Sequence, residues 1–261
     1  MIYPRTKKGI RIAEVWFNGD NVREAILDKP DIVRCNFVDS IYGKTVSLKR
    51  KPTIFMDLSR SEEELLADCN KTTRYQINRA KKSDSVETVT DFPQGSSDSA
   101  VLDRYIEFYN DFARSKGRGL QSVNRYVQYV THHTLVIRSV VDAQSREPLA
   151  MHSYIVSDGR ARLHQSASLF RTCDDKAEQS RIGRANRFLH MDDMLYFKGL
   201  GIASFDFGGW YGGTTDTAKL AINSFKESFG GYRRDDFSYI VPLTIRGWLS
   251  VLVRAVARKI S

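Results

Sequence analysis

Short strand-like runs, rich in apolar and β-branched residues, open the chain over residues 10–17, 31–38 and 52–58. The Lys, Gly, Asn and Pro residues between the runs supply turns. The pattern then changes. Leu66, Cys69, Thr73, Ile77 and Ala80 recur at helical spacing, with Ser59 or Ser61 as the cap and Glu62, Glu63 and Glu64 at the positive end of the helix dipole. Lys71, Arg74, Lys81 and Lys82 fall on the opposite side, so the pattern predicts one helix with a basic outer face. A strand over 86–90 and a Pro/Gly/Ser-rich stretch over 92–99 follow.

Helical spacing returns at Leu102, Tyr105, Ile106, Tyr109 and Phe112, and a short helix is expected over 123–130. Residues 134–141, 149–156 and 160–168 alternate and predict three antiparallel strands, joined by turns over 142–148 and at Ser157, Asp158 and Gly159. A helix over 183–198, a strand over 202–207 and a glycine-rich loop over 208–213 come next. Asp216 then caps a helix with Ala218, Ile222, Phe225 and Phe229 on one face, stopped by Gly230 and Gly231, before a last strand over 237–243. The order is a strand-helix opening, a meander, then helix-strand-helix-strand, with no internal repeat.

Residues 244–261 form a separate feature. Arg246, Ser250, Arg254 and Arg258 recur every fourth position, while Trp248, Leu249, Leu252, Val253 and Val256 fill much of the rest. Two readings stay open: a terminal helix packed on the domain, or a basic amphipathic helix lying in an anionic membrane surface.

Composition narrows the class. Of 261 residues, 41% are hydrophobic and 27% charged, which supports a packed core and excludes disorder or a fibre. Lys and Arg exceed Asp and Glu by 40 to 31, for a net charge of +9, so a polyanionic partner is expected: nucleic acid, a phosphorylated cofactor or anionic lipid. Three widely spaced cysteines without a CxxC pair argue against a disulfide framework or zinc ribbon and for a reducing compartment. No apolar h-region follows MIYPRTKKGI and no run of about 18 apolar residues occurs, so a cytoplasmic protein is expected, with the tail as the segment suited to the inner face of the membrane.

The stretch SRIGRANRFLH, from Ser180, is rich in candidate chemistry. Gly183 and Ala185 at a helix start, surrounded by Arg181, Arg184 and Arg187, suit a phosphate on free backbone N–H groups. The plainer alternative is a helix whose arginines pair with Asp174, Asp175 and Glu178. In FDFGGWYGG, a strand ends at Asp206 and a loop carrying Gly208, Gly209, Trp210 and Tyr211 leads into a helix, a common ligand position in α/β folds. Lys226 leaves the stripe of Phe225 and Phe229 and either meets solvent or reaches a phosphate or polarised carbonyl. Of five histidines, His152 and His164 lie on adjacent predicted strands, and either can act as a base or as a structural histidine. HExxH, GxSxG, GxxxxGK[ST] and GxGxxG are all absent from the sequence, which leaves a metalloprotease, serine hydrolase, P-loop NTPase and Rossmann dehydrogenase unsupported.

The run from Gly183 to Gly231, with GRAN, FDFGG and NSFKESFGG in that order, resembles the GNAT-like acyltransferases of the FemABX type. So does the upstream segment with MDL, SEEELL and TRYQINRAKK. The matching pieces span residues 53–243. The resemblance implies an α/β fold of the GNAT kind: a mixed, mostly antiparallel, splayed sheet flanked by helices. It implies transfer of an acyl group from a thioester or an aminoacyl-tRNA to an amine. The expected organisation is a short β extension over 1–58, an acyltransferase domain over 59–243 and an amphipathic tail over 244–261. FemABX proteins usually hold two GNAT-like domains, and the [QR]xxGx[GA] of CoA-dependent GNAT enzymes is matched here only from Gly183, since Ser180 occupies its first position.

On that basis an N-acyltransferase is expected, with acyl-CoA (acetyl-CoA) as the favoured donor, aminoacyl-tRNA as the alternative and no metal. The acceptor is an amine on a nucleotide- or lipid-linked sugar of the cell envelope, and nucleic acid is a partner only if tRNA is the donor. His164 or Asp206 accepts the amine proton, Tyr211 protonates the leaving group and Lys226 orients donor or acceptor. Arg181, Gly183, Arg184 and Ala185 hold donor phosphate, while Arg74, His152, Gly208, Gly209 and Trp210 line the substrate. A non-catalytic, membrane-docked binding module is the further alternative.

Overall fold

The computed structural model describes residues 1–171 and 173–260, with the side chains of Arg171 and of residues 254–260 outside that description. In chain order the first elements are β1 (Ile2–Lys7), β2 (Ile10–Trp16), α1 (Asp20–Leu27), β3 (Ile32–Val38), β4 (Val46–Asp57), α2 (Glu62–Asp68) and α3 (Lys71–Ser83). The middle holds β5 (Val86–Phe92), α4 (Ser99–Ser115), α5 (Val127–Thr131), β6 (Leu135–Asp142), β7 (Pro148–Ser157) and β8 (Arg160–Ser168). The chain continues through α6 (Lys176–Gly199), β9 (Ser204–Gly209), α7 (Thr217–Glu227), β10 (Tyr232–Pro242) and α8 (Ile245–Ile260).

Two compact units result. The first joins residues 1–53 to the chain from Arg233 onward, and the second spans 54–232. This division differs from the expected 1–58, 59–243 and 244–261, because β10 returns to pair antiparallel with β3, with Ile240 opposite Arg34 and Pro242 opposite Ile32. In the first unit β1 pairs antiparallel with β2, and β2 parallel with β3. Its core is Val15, Val22, Val33, Cys35, Val38, Tyr239 and Val241.

In the second unit the strand order is β9-β8-β7-β6-β5, with residues 54–57 of β4 on the outer side of β9. β8 is parallel to β9, and every pair from β8 to β5 is antiparallel. Successive side chains of β7 point to opposite faces. Tyr154 and Val156 join Met191, Met194 and Phe197 of α6 in a core with Phe205, Phe207 and Phe229. Ser153, on the other face, meets Tyr105 of α4, whose hydroxyl donates to Ser153 Oγ at 2.8 Å.

Three helices differ from the pattern-based expectation. The single helix beginning near Ser61 is two. Ser61 and Glu64 form a capping box on α2, Cys69 turns extended, and Asn70 caps α3 by accepting from Thr73 N at 2.8 Å. The helix expected from Gly183 begins at Lys176, capped by Asp175, whose carboxylate accepts from Ala177 N and Glu178 N. On α7, capped as expected by Asp216, the only buried residue is Asn223, while Ala218 and Ile222 of the expected inner face are exposed.

Candidate active site

The parallel pairing of β8 with β9 is short: Arg160, Ala161 and Arg162 lie opposite Ser204, Phe205 and Asp206. β8 runs on to Ser168 beside β7 and β9 to Gly209, so the pairing of the two strands ends at Arg162 and Asp206. A bulge marks the same point. Leu163 is opposite Tyr154 and Gln165 opposite Ser153, which leaves His164 as the extra residue of β8. A bulge leaves its residue unpaired and bends the strand, and sheets use it to re-aim groups beside a site.

Charge gathers at this opening. Asp206 is fully buried and accepts from Arg160 Nε at 3.0 Å, from Arg160 Nη2 and Arg162 Nη1, and from Gly208 N at 2.8 Å. Two guanidiniums and an amide occupy its oxygens, so it anchors the strand end and is unsuited to be the base proposed for it. Gly208 adopts φ +78°, and a Cβ there would sit 3.2 Å from the Leu163 carbonyl, so only glycine allows β9 to turn this close to β8. That same position lies 3.9 Å from both Arg162 Nη2 and Lys226 Nζ.

Lys226 reaches the opening from α7 and donates to Gly209 O at 2.6 Å. Burial and the neighbouring Arg162 guanidinium lower its pKa to about 8, against the pull of Asp206. The loop is held from the same helix. Asn223 accepts from Tyr211 N at 2.9 Å and donates to Tyr211 O at 2.7 Å, and Trp210 Nε1 donates to Glu227 at 2.8 Å. His164 packs edge-on against Tyr126 and Tyr129, and burial, with Arg162 and Arg125 nearby, lowers its pKa to about 4. Beside it Tyr126 donates to Gln165 Oε1 at 2.7 Å.

The structure thus brings Asp206, Gly208, Gly209 and Lys226 together, with Trp210 and Tyr211 on the adjoining loop. It corrects the placement of the expected phosphate grip. Gly183 lies about two turns inside α6, where backbone N–H groups bond within the helix, and Ala185 is fully buried. Arg181 pairs with Asp142 and Glu178 and donates to Asp84 O at 2.8 Å, while Arg184 holds the Asp84 carboxylate at 2.6 and 2.9 Å. The plainer alternative of internal pairing therefore describes these arginines, though Asp84 and Asp142 are partners that sequence spacing does not suggest. Arg74, half-buried on α3, donates to Ala67 O at 3.2 Å.

His152 is also displaced from its expected substrate role. It is fully buried, with Nδ1 2.7 Å from Asp193 Oδ2 and Nε2 2.9 Å from Asn186 Oδ1. Tyr154 donates to Asp193 Oδ2 at 2.5 Å, and Arg138 donates to Asp193 at 3.0 Å and Asp192 at 2.7 Å. His152, His190 and Asp193 bring possible ligand atoms within 4.8 Å of one another. Arg138, His152 and Tyr154 already engage both oxygens of Asp193 and tie β6 and β7 to α6, while the buried His190 Nδ1 has no hydrogen-bond partner among the described residues. Arg160, Arg162 and Asn223 went unnoticed in the sequence. The available signal was two arginines two apart on a strand running toward the FDFGG aspartate.

No protein-family model matches the chain, and no curated protein matches its sequence. Solved structures do match. FemX superposes with a TM-score of 0.62 at 12% identity, over 92% of this chain and 84% of FemX. The fold is similar to that of FemX. The C-terminal domain of a putative lysylphosphatidylglycerol synthetase from Agrobacterium fabrum gives 0.54 at 13% identity, over 98% of this chain and 84% of that domain. L-PGS from Bacillus licheniformis gives 0.52 at 12% identity, over 97% and 84%. The end of the β8–β9 pairing at Arg162 and Asp206 agrees with the splayed sheet that the sequence resemblance implied.

Proposed function

We propose that this FemABX-like chain is an acyltransferase that moves an acyl or aminoacyl group from an activated carrier to an amine, and that transfer takes place where β8 and β9 part. The observation that carries the proposal is Lys226, a lysine with its pKa lowered to about 8, set beside Gly208, Arg162 and the bulge at His164. Attack by the amine on the donor carbonyl builds negative charge on the carbonyl oxygen. The Lys226 ammonium, with backbone N–H groups of the strand ends, stabilises that charge in a fixed geometry. The C–N bond forms as the bond from carbon to the carrier breaks, and Tyr211 on the adjoining loop supplies a proton to the leaving atom. His164, neutral at pH 7, retains an acceptor nitrogen for the amine proton, although its low basicity limits the help it gives.

The favoured donor shifts toward aminoacyl-tRNA. The α6 start carries Asp175 and Glu178, and Arg181 and Arg184 are held by carboxylates, so the pyrophosphate cradle that favoured acyl-CoA is not formed there. A basic helix, α3, with Lys71, Arg79, Lys81, Lys82 and the 59% exposed Tyr75 on its outer side, suits a nucleic-acid carrier, and the likeness to FemX agrees. The acceptor remains an amine on a nucleotide- or lipid-linked sugar. Supplying acetyl-CoA and charged tRNA in turn, with amino-sugar nucleotides as acceptors and mass spectrometry of the products, tests the proposal. Transfer from charged tRNA, weakening steeply with salt, is expected. Transfer from acetyl-CoA alone refutes the donor, and no transfer from either refutes the activity.

A further inference from the structure

The two sides of α8 differ sharply. Gly247 lies so close to Asp31 that a Cβ would fall 2.1 Å from its carbonyl oxygen, and Val251 packs on Ile12 and Ile32. Thr244 donates to Asp31 Oδ1 at 2.7 Å, so the start of the helix is fixed to its unit. At 100° per residue, Gly247 and Val251 mark the inner side, and Ile245, Trp248, Leu249, Leu252 and Val253 lie around the opposite one. Those five are 81%, 41%, 57%, 56% and 67% exposed.

Cations border this apolar face. Arg246 donates to Gly9 O at 3.1 Å, which sets the turn between β1 and β2, with exposed Lys7 and Lys8, against the first turn of α8. Arg11 donates to Lys29 O at 2.6 Å, adding two more cations to the same part of the unit. From residue 244 to the end the sequence has three arginines, one lysine and no acid. No helix among the described residues is long and apolar enough to cross a membrane, and α8 has 16 residues.

We propose that the outer face of α8, with the Lys7–Lys8 turn, docks on an anionic lipid surface, the helix lying in the interface with its apolar side chains inserted. The charge pattern selects this occupant. A second copy of the chain meeting the same face across a two-fold axis brings like charges together. The proposal is independent of the acyl donor, so its failure and failure of the proposed reaction are separate results.

Co-sedimentation of the full chain with vesicles tests it, using pure phosphatidylcholine and phosphatidylcholine mixed with phosphatidylglycerol. Binding to the anionic vesicles is expected, at least tenfold stronger than to phosphatidylcholine and weakened by salt. Leu249→Glu with Val253→Glu, at positions outside the packed core, is expected to reduce that binding at least tenfold with unchanged circular dichroism and melting. Lys7→Glu with Lys8→Glu is expected to reduce it and flatten its salt dependence. Equal binding by wild type and the Leu249/Val253 variant overturns the proposal. So does absence of anionic-vesicle binding, or concentration-dependent dimerisation that the same variant abolishes.

Discussion

Lys226 and His164 sit beside the same guanidinium and respond to it alike: both lose basicity, burial being the larger cause for each. The consequences differ. For His164 the folded pKa of about 4 lies below the ordinary 6.5, so the unfolded chain takes up a proton that the folded chain refuses. Stability from this residue is therefore complete above pH 6.5 and falls as pH drops toward 4. His164→Gln should lose less stability than wild type between pH 7 and 4.5, by on the order of 2 kcal/mol in denaturant melts. Equal losses show that burial of this imidazole does not govern its titration. At this scale the sequence was legible where a residue stands next to its glycine, as Asp206 and Gly208 do. It was illegible where the partner comes from another strand: Arg160 and Arg162 read as ordinary strand residues until β8 is laid beside β9. Asp206, apparently free at a strand end, is in fact an anion enclosed by cations.

Elements carry the second lesson. The hydrophobic periods of α4, β6 and β7 were plain because each buries an entire face. The start of α6 was hidden because its first turns, Lys176 to Arg181, are almost wholly polar, and the apolar period that announces a helix begins only at Ile182. That misplaced the helix N-terminus by two turns and made Gly183 resemble a phosphate cradle. The break between α2 and α3 rests on one cap, Asn70, inside a continuous apolar stripe. Arg184 and Asp84 now have a structural role, tying α6 to the end of α3. Arg184→Ala should lower unfolding stability by about 1–3 kcal/mol, because it leaves the largely buried Asp84 carboxylate with only the Arg79 guanidinium at 4.0 Å. KM for the donor should stay within twofold of wild type. A large rise in KM with unchanged melting instead places this arginine on the donor.

For the whole molecule, the strand order could not be read from local pattern. β10 lies about two hundred residues after β3 yet pairs with it, and period-two spacing says nothing about which distant strand becomes the neighbour. The family resemblance supplied what periodicity could not, namely a splayed sheet. The two-unit division came from neither, since the first unit is built from both ends of the chain. A buried polar network joins β6 and β7 to α6. Arg138→Leu, which strands the buried Asp193 carboxylate, should cost about 3–5 kcal/mol by denaturant unfolding. A loss under 1 kcal/mol shows that the network does not brace β6 and β7 against α6.

The claim on which the functional account turns is that an activated carbonyl is held against Lys226 between β8 and β9. Competitive labelling of lysine amines near pH 8, read peptide by peptide by mass spectrometry with and without aminoacyl-tRNA or acyl-CoA, tests it without requiring the acceptor. Lys226 should be protected at least fivefold by one of these donors while Lys7 and Lys8 label unchanged. Labelling of Lys226 that no donor alters, at concentrations where donor binding is measured independently, contradicts the account.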